Sequence, residues 1–263
     1  MIDYHIHSDI SADCAVPMSL MAKAARSKGL KEICFTEHID LDFPGGTDFV
    51  PDFDAYDLKF EAVRSAFPDI AIRKGIEAGL ELRTKEGIIS ALSGKSFDFV
   101  IGSVHLVEGL DPYCAEFWDK YALRQAFEEY LGVCIECAKE MGYYDVFGHL
   151  GYVSKFCPHE DAVLNYSDFS DAVDELLKLL IEKGKGIEVN TSGIKNTRSV
   201  MPEINIISRF FEFGGEVVTV GSDAHEETSV GRASGETLDM LKGIGFKYVC
   251  AFDERRPRFI TIP

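Results

Sequence analysis

The chain has 263 residues, close to the roughly 250 of a single α/β barrel and below what two full-sized domains need. Its 46% hydrophobic content is ordinary for a globular protein and excludes a wholly disordered chain. The formal charge of −17 repels phosphodiester backbones and anionic lipid alike, so neither long nucleic acid nor a membrane surface is an expected partner.

Residues 1–5 open without a basic segment or a leader-like apolar block, so secretion is not expected. Apolar, β-rich runs follow at 2–6, 32–36, 70–80, 97–103, 145–148, 186–190, 216–221 and 247–252. Helical patterns lie between them: 18–28, ending at Gly29; 55–66, ending before Pro68; 120–141, ending at Gly142; 169–183, with Ser167 as N-cap; 203–213, ending at Gly214; and 236–241. The stretch 40–54 holds Pro44, Gly45, Gly46 and Pro51 and reads as a long loop after a strand. The last residues read as strand, turn and strand. Strand and helix alternating over the whole length predict a parallel sheet, and seven or eight such units predict a closed βα barrel. No linker or composition shift marks a second domain. The seven cysteines are irregularly spaced and fit reduced thiols in the cytoplasm. Cys134 and Cys137 form C-x-x-C inside a helical stretch with no second pair, and read as ordinary helix residues.

Six of the seven histidines fall at the downstream ends of expected strands, the face on which βα barrels build active sites. His5 and His7 are two apart and share a strand face, as do Asp223 and His225. Glu37 and His38 are adjacent, so only one of them points inward. Glu77, His105 and His149 come one per strand. Each alone is an ordinary polar group at a barrel mouth. Together they predict a multinuclear metal site, with nitrogen and oxygen donors suited to zinc, manganese or iron. Asp13 lies in the loop after His7, within reach of the same mouth; His159 reads as a surface or lid residue.

His5-Ile6-His7, Thr36-Glu37-His38, Gly75-Ile76-Glu77, Gly102-Ser103-Val104-His105, Gly148-His149 and Gly221-Ser222-Asp223-Ala224-His225 resemble, in order, the motifs of the polymerase and histidinol phosphatase (PHP) family. Residues 35–40, 97–105 and 189–193 are similar to its histidinol-phosphatase branch in particular. The resemblance implies one domain over residues 1–263, a distorted (βα)7 TIM-like barrel with its active site at the C-terminal face of the strands. It implies a phosphatase of histidine biosynthesis with three divalent transition metals (zinc, manganese or iron) and a small phosphorylated substrate. The ligand sets it implies are His5, His7 and Asp223 with Glu77 as a bridge; Glu77, His105 and His149; and Asp13, His38 and His225. Glu37 would orient a ligand from behind, and Glu81 stays outside the set.

Divalent ions can generate a hydroxide nucleophile at neutral pH and take up charge on phosphorus, so in-line attack without a phosphoenzyme is expected. Neither Ser103 nor Cys14, both near the rim, has a nucleophile's motif context. His225 or Asp13 could protonate the leaving oxygen, and Lys195, Arg198 and Arg232 are the candidate phosphate cations. Asp40, Asp42 and Glu108 are candidates for a substrate amino group. Close relatives carry arginine at Lys195, aspartate at Gly151 and serine at Glu203, departures around the expected substrate pocket. The alternatives are another small phosphate or nucleotide as substrate, an amidohydrolase-type hydrolase, or a metal-binding module without catalysis.

Overall fold

The computed structural model describes residues 1–46, 49–159 and 162–263; Thr47 and Asp48 of the expected long loop lie outside them. Strands β1 (Ile2–Ile6), β2 (Glu32–Ile39), β3 (Ala71–Gly79), β4 (Phe99–Ser103), β5 (Val146–Phe147), β6 (Gly186–Asn190) and β7 (Val218–Gly221) stand side by side in chain order. All neighbouring pairs are parallel. A ladder joins each strand to the next, but not β7 to β1. Among the described residues the ring closes through one backbone bridge, between Ile6 and Ala224. The result is the expected seven-stranded, distorted βα barrel.

Helices α1 (Met18–Ser27), α2 (Phe53–Ala66), α3 (Lys85–Leu92), α4 (Ala115–Lys120), α5 (Leu123–Glu140), α6 (Tyr152–Lys155), α7 (Ser170–Glu182), α8 (Ile194–Thr197), α9 (Ile204–Glu212) and α10 (Ser234–Ile244) fill the connections. The long ones bury one stripe each. On α5 that stripe includes Phe127, Tyr130, Leu131, Cys134 and Cys137, so the C-x-x-C pair is core packing; all seven cysteines are free. No helix of the described residues is long and apolar enough to cross a membrane.

Three local expectations are corrected. The helix expected at 120–141 is α5 but starts three residues later, because Tyr121 and Ala122 adopt extended backbone; a separate short helix, α4, precedes it. Ser167 does not cap α7; its hydroxyl donates to Asn165 Oδ1, and the helix starts at Ser170 without a side-chain cap. The short helices α3, α6 and α8 are too brief to show a period in sequence. β2 also runs on to Ile39, because its ladder with β3 continues in register; this pairs His38 directly with Glu77.

The eighth β-type run stays out of the barrel. β8 (Tyr248–Asp253) pairs antiparallel with β9 (Arg256–Thr261) in a separate hairpin. The hairpin lies across the N-terminal ends of the barrel strands. Tyr4 Oη donates to Glu32 at 2.6 Å and accepts from Phe252 N–H at 2.9 Å. Arg258 grips Glu32 at 2.5 and 2.7 Å, and Arg73 adds a bond at 2.9 Å. Arg73 also reaches Asp253 at 2.9 Å, and Arg255 reaches Asp145 at 2.5 Å. The carboxylates named at this end therefore each have an arginine partner.

Candidate metal centre

At the opposite end, the strand termini deliver imidazoles and carboxylates into one buried volume. His5 comes from β1, His38 from the end of β2 and Glu77 from β3; His7, His105, His149, Asp223 and His225 follow their strands directly. Glu77 is at the middle. Its Oε2 lies 3.1 Å from His5 Nε2, 3.4 Å from His7 Nε2 and 3.1 Å from His38 Nδ1. Its Oε1 lies 3.2 Å from His105 Nε2 and 2.8 Å from His149 Nε2. Asp223 Oδ1 sits 3.4 Å from His7 Nε2 and 3.7 Å from His5 Nε2. Asp13 Oδ2 faces His38 Nε2 at 3.3 Å and His225 Nε2 at 3.1 Å. His7 is sandwiched between the rings of His38 and His225, at centroid separations of 4.2 and 4.3 Å. The structure thus brings all nine candidate ligands together.

Ring orientation tests whether these residues suit divalent cations. His5 Nδ1 is 2.6 Å from Glu188, His105 Nδ1 is 2.9 Å from Asp40, and His7 Nδ1 is 3.2 Å from Ser11 Oγ. Held this way, each ring keeps its proton on Nδ1 and turns a bare Nε2 toward the centre. There the lone pairs meet Glu77 oxygens, and the Nε2 atoms of His5 and His7 meet each other at 3.0 Å. Lone pair against lone pair is repulsive unless protons or cations intervene. His149 Nδ1 is buried with no hydrogen-bond partner among the described residues, and His38 Nδ1, although 3.1 Å from Glu77 Oε2, makes no hydrogen bond there. Burial disfavours charge on His5, yet Glu188, Glu77 and Asp223 outweigh it and hold its pKa well above the ordinary value. His105 behaves likewise through Asp40 and Glu77. Burial raises Glu77, but His5, His38 and His105 drive it well below the carboxylate range. Asp13 is lowered in the same way by His225 and His38. A centre that rewards positive charge so strongly, and is built from N and O donors, fits divalent transition metals.

The second layer is equally specific. Glu188, in β6, holds His5 with Oε1 and accepts from the His149 N–H (2.8 Å) and Asn190 Nδ2 (3.1 Å) with Oε2. Gly221 makes room for it: a Cβ there would stand 2.3 Å from Glu188 Oε1 and 2.4 Å from His5 Cβ. Glu37 turns away from the centre and accepts from Ser8 and Ser11, so it orients His7 through Ser11. Ser103 donates to Glu77 at 2.6 Å. Cys14 faces the His225 carbonyl, and burial pushes its thiol up to about 11. Neither is poised as a nucleophile. Glu81 pairs with Arg83 near the surface, and His159 is exposed.

A cavity of about 420 Å³ opens onto the centre. Phe43, Phe49, Tyr113, Tyr152 and Phe156 form aromatic walls; Phe43 and Phe49 come from the expected long loop. Lys155 is the one lysine or arginine among the described lining residues, its Nζ 3.0 Å from Asp223 Oδ2. The structure places the expected phosphate cations elsewhere. Lys195 and Arg198 are exposed and do not line this cavity. Arg232 donates to Ser229 Oγ and sits beside Lys28. Among the acidic candidates, Asp40 is engaged by His105, Glu108 binds Lys120 and Tyr121, and Asp42 lies by Arg83. Asp40 nevertheless lines the cavity, and so does Asp111. Asp111 is buried, accepts from Tyr113 N–H at 2.8 Å, and burial raises its pKa. Glu188 had a signal in the sequence, an acid inside an otherwise apolar strand. Lys155 and Asp111 had none.

The PHP domain family model matches residues 3–192. Among curated proteins, the chain is 32% identical to the probable histidinol-phosphatase of Clostridium acetobutylicum, over 97% of this chain and 98% of that protein. It is also 32% identical to the histidinol-phosphatase of Lactococcus lactis, over 95% and 94% of the two chains. Among solved structures, it is similar to the Lactococcus lactis histidinol phosphate phosphatase complexed with zinc, L-histidinol and phosphate. The TM-score there is 0.87, with 30% identity and 98% of each chain covered.

Proposed function

The chain belongs to the PHP domain family, and from that premise we propose that it is a metal-dependent phosphomonoesterase converting L-histidinol phosphate and water to L-histidinol and phosphate. One observation carries the reading: six imidazoles converge with Glu77, Asp223 and Asp13 at the floor of a cavity whose walls are aromatic and acidic. His5, His7 and Asp223 would hold one divalent ion with Glu77 shared, Glu77, His105 and His149 a second, and Asp13, His38 and His225 a third. Zinc, manganese and iron all suit these donors. Such ions supply Lewis acidity, polarising phosphoryl oxygens and lowering the pKa of water from 15.7 to about 7.

The chain's own groups account for the rest. Lys155 can hold a phosphate oxygen, its partner Asp223 being at the centre itself. Lys195, Arg198 and Arg232 are then peripheral to the phosphate. Asp111 offers a buried carboxylate to a substrate ammonium, and the aromatic walls accept a flat ring such as imidazole. Asp13 and His225, 3.1 Å apart on the more exposed side, could pass a proton to the leaving oxygen only while no ion sits between them. Glu188, Asp40 and Ser11 hold the imidazoles in one tautomer while this happens.

A phosphomonoester panel, run with measured metal content, tests the proposal. Turnover of histidinol phosphate above aryl and sugar phosphates is expected. Good turnover of another phosphate with none of histidinol phosphate rejects the substrate; a metal-loaded protein inert on every phosphate rejects the reaction. Asp111→Asn should raise KM for histidinol phosphate by about tenfold, the value of one charged hydrogen bond, and leave an aryl phosphate unaffected.

A further inference from the structure

Among the described residues, the one seam of the barrel without a ladder, between β1 and β7, runs through the candidate metal centre. The bridge between Ile6 and Ala224 sits at the very top, with bonds of 3.0 Å (His7 N–H to Ala224 O) and 3.4 Å (Ala224 N–H to His5 O). Four of the nine candidate ligands flank this gap, His5 and His7 on one side and Asp223 and His225 on the other. Asp223 moreover adopts a left-handed backbone (φ 52°), a conformation uncommon outside glycine that aspartate enters more readily than most residues.

A buried carboxylate two residues before His5 bonds across this gap. Asp3 Oδ1 accepts from the Ser222 N–H at 2.9 Å and the His5 N–H at 3.3 Å; Oδ2 accepts from Ser222 Oγ at 2.5 Å and the Gly231 N–H at 2.7 Å. One side chain thus grips both the residue before Asp223 and the far end of the loop that carries His225. From outside, Lys28 at the end of α1 donates to the carbonyls of Thr228 (2.9 Å) and Val230 (2.6 Å) in the same loop. Asp3 touches none of the nine candidate ligand side chains in any of these bonds.

We propose that Asp3 is a positioning residue for the metal centre: it replaces the missing β1–β7 ladder and sets the spacing of His5 and His7 against Asp223 and His225. The role rests on the metal-centre reading above. Asn cannot substitute for it. Either orientation of the amide turns an NH2 group toward donors, leaving Gly231 N–H or Ser222 N–H without an acceptor.

The test compares metal binding by apo Asp3→Asn with that of Glu32→Gln, a substitution at the opposite barrel end, using calorimetric titration with Mn²⁺ or Zn²⁺ and circular dichroism to follow melting. Asp3→Asn should weaken binding at its most weakly held ion by about 10–100-fold, the range for outer partners of metal ligands. Activity should return with excess metal. Glu32→Gln should lose melting temperature while binding metal like the wild type. Equal affinities in the two variants would reduce Asp3 to a stabilising residue and overturn the proposal. If Asp3→Asn does not fold, Ser222→Ala decides, since it removes the Oγ bond alone: weakened binding supports the role, wild-type binding overturns it. A wild-type protein that takes up no metal overturns the centre itself, an outcome distinct from equal affinities.

Discussion

The two ends of the barrel solve the same electrostatic problem in opposite ways. At the N-terminal end, Glu32, Asp253 and Asp145 are matched to Arg73, Arg258 and Arg255, charges that no accessible pH removes. At the C-terminal end, Glu77, Asp223, Asp13, Asp40 and Glu188 face imidazoles, with Lys155 as the permanent cation in the cavity wall. At the first end each of these carboxylates has an arginine beside it as built. The second is complete only with protons or cations taken from solution. A folded chain that leaves carboxylates facing imidazole lone pairs is reserving that space for ions, and the hairpin end shows that the same chain neutralises carboxylates with arginine where no ion is wanted.

Removing the ions should separate the ends most sharply. Chelation should abolish phosphatase activity and lower the melting temperature, with activity recovered on metal addition. Glu77→Gln, which removes the charge shared among five imidazoles, should cost more than the roughly 10–100-fold of an outer-partner change, measured as kcat/KM. Glu188→Gln should fall within that range and appear in metal affinity as well as in rate. Lys155→Ala should reduce kcat/KM by about tenfold or more, matching the ~1.5–3 kcal/mol of a hydrogen bond to a charged group, and Lys155→Arg should restore part of it. At the other end, Glu32→Gln should lower stability by about 2 kcal/mol and leave kcat per folded molecule unchanged.

The smallest contrast is in pH. Burial opposes charge on His225, but Asp13 and Asp223 raise it to about 9. A histidine raised on folding stabilises fully below its unfolded pKa near 6.5, and that contribution is lost as pH rises through the folded value. Metal-free protein should therefore lose stability between about pH 6.5 and pH 9. Metal-loaded protein should not, because ligands must give up their protons to bind metal; thermal melts across that interval measure the difference. Stereochemistry at phosphorus adds a last check. With Ser103 tied to Glu77 and the Cys14 thiol pushed up to about 11, a single displacement and inversion are expected; retention would require a protein nucleophile.

By itself the sequence determined the alternation that makes a βα barrel and the identity of the residues at its mouth. Both follow from local rules: apolar runs of strand length between amphipathic stretches, and side chains two apart sharing a face. Only the tertiary structure decided what lay in register or across the ring. Pairing His38 with Glu77 needed the β2–β3 ladder, and closing the ring at Asp3 and Ser222 needed residues 219 positions apart to meet. It also exchanged Lys195, Arg198 and Arg232 for Lys155 at the cavity wall, and turned the last two strands into a hairpin beneath the barrel. Long-range partners leave no periodic trace along a chain, so spacing could name the ligands while the fold alone could say what holds them.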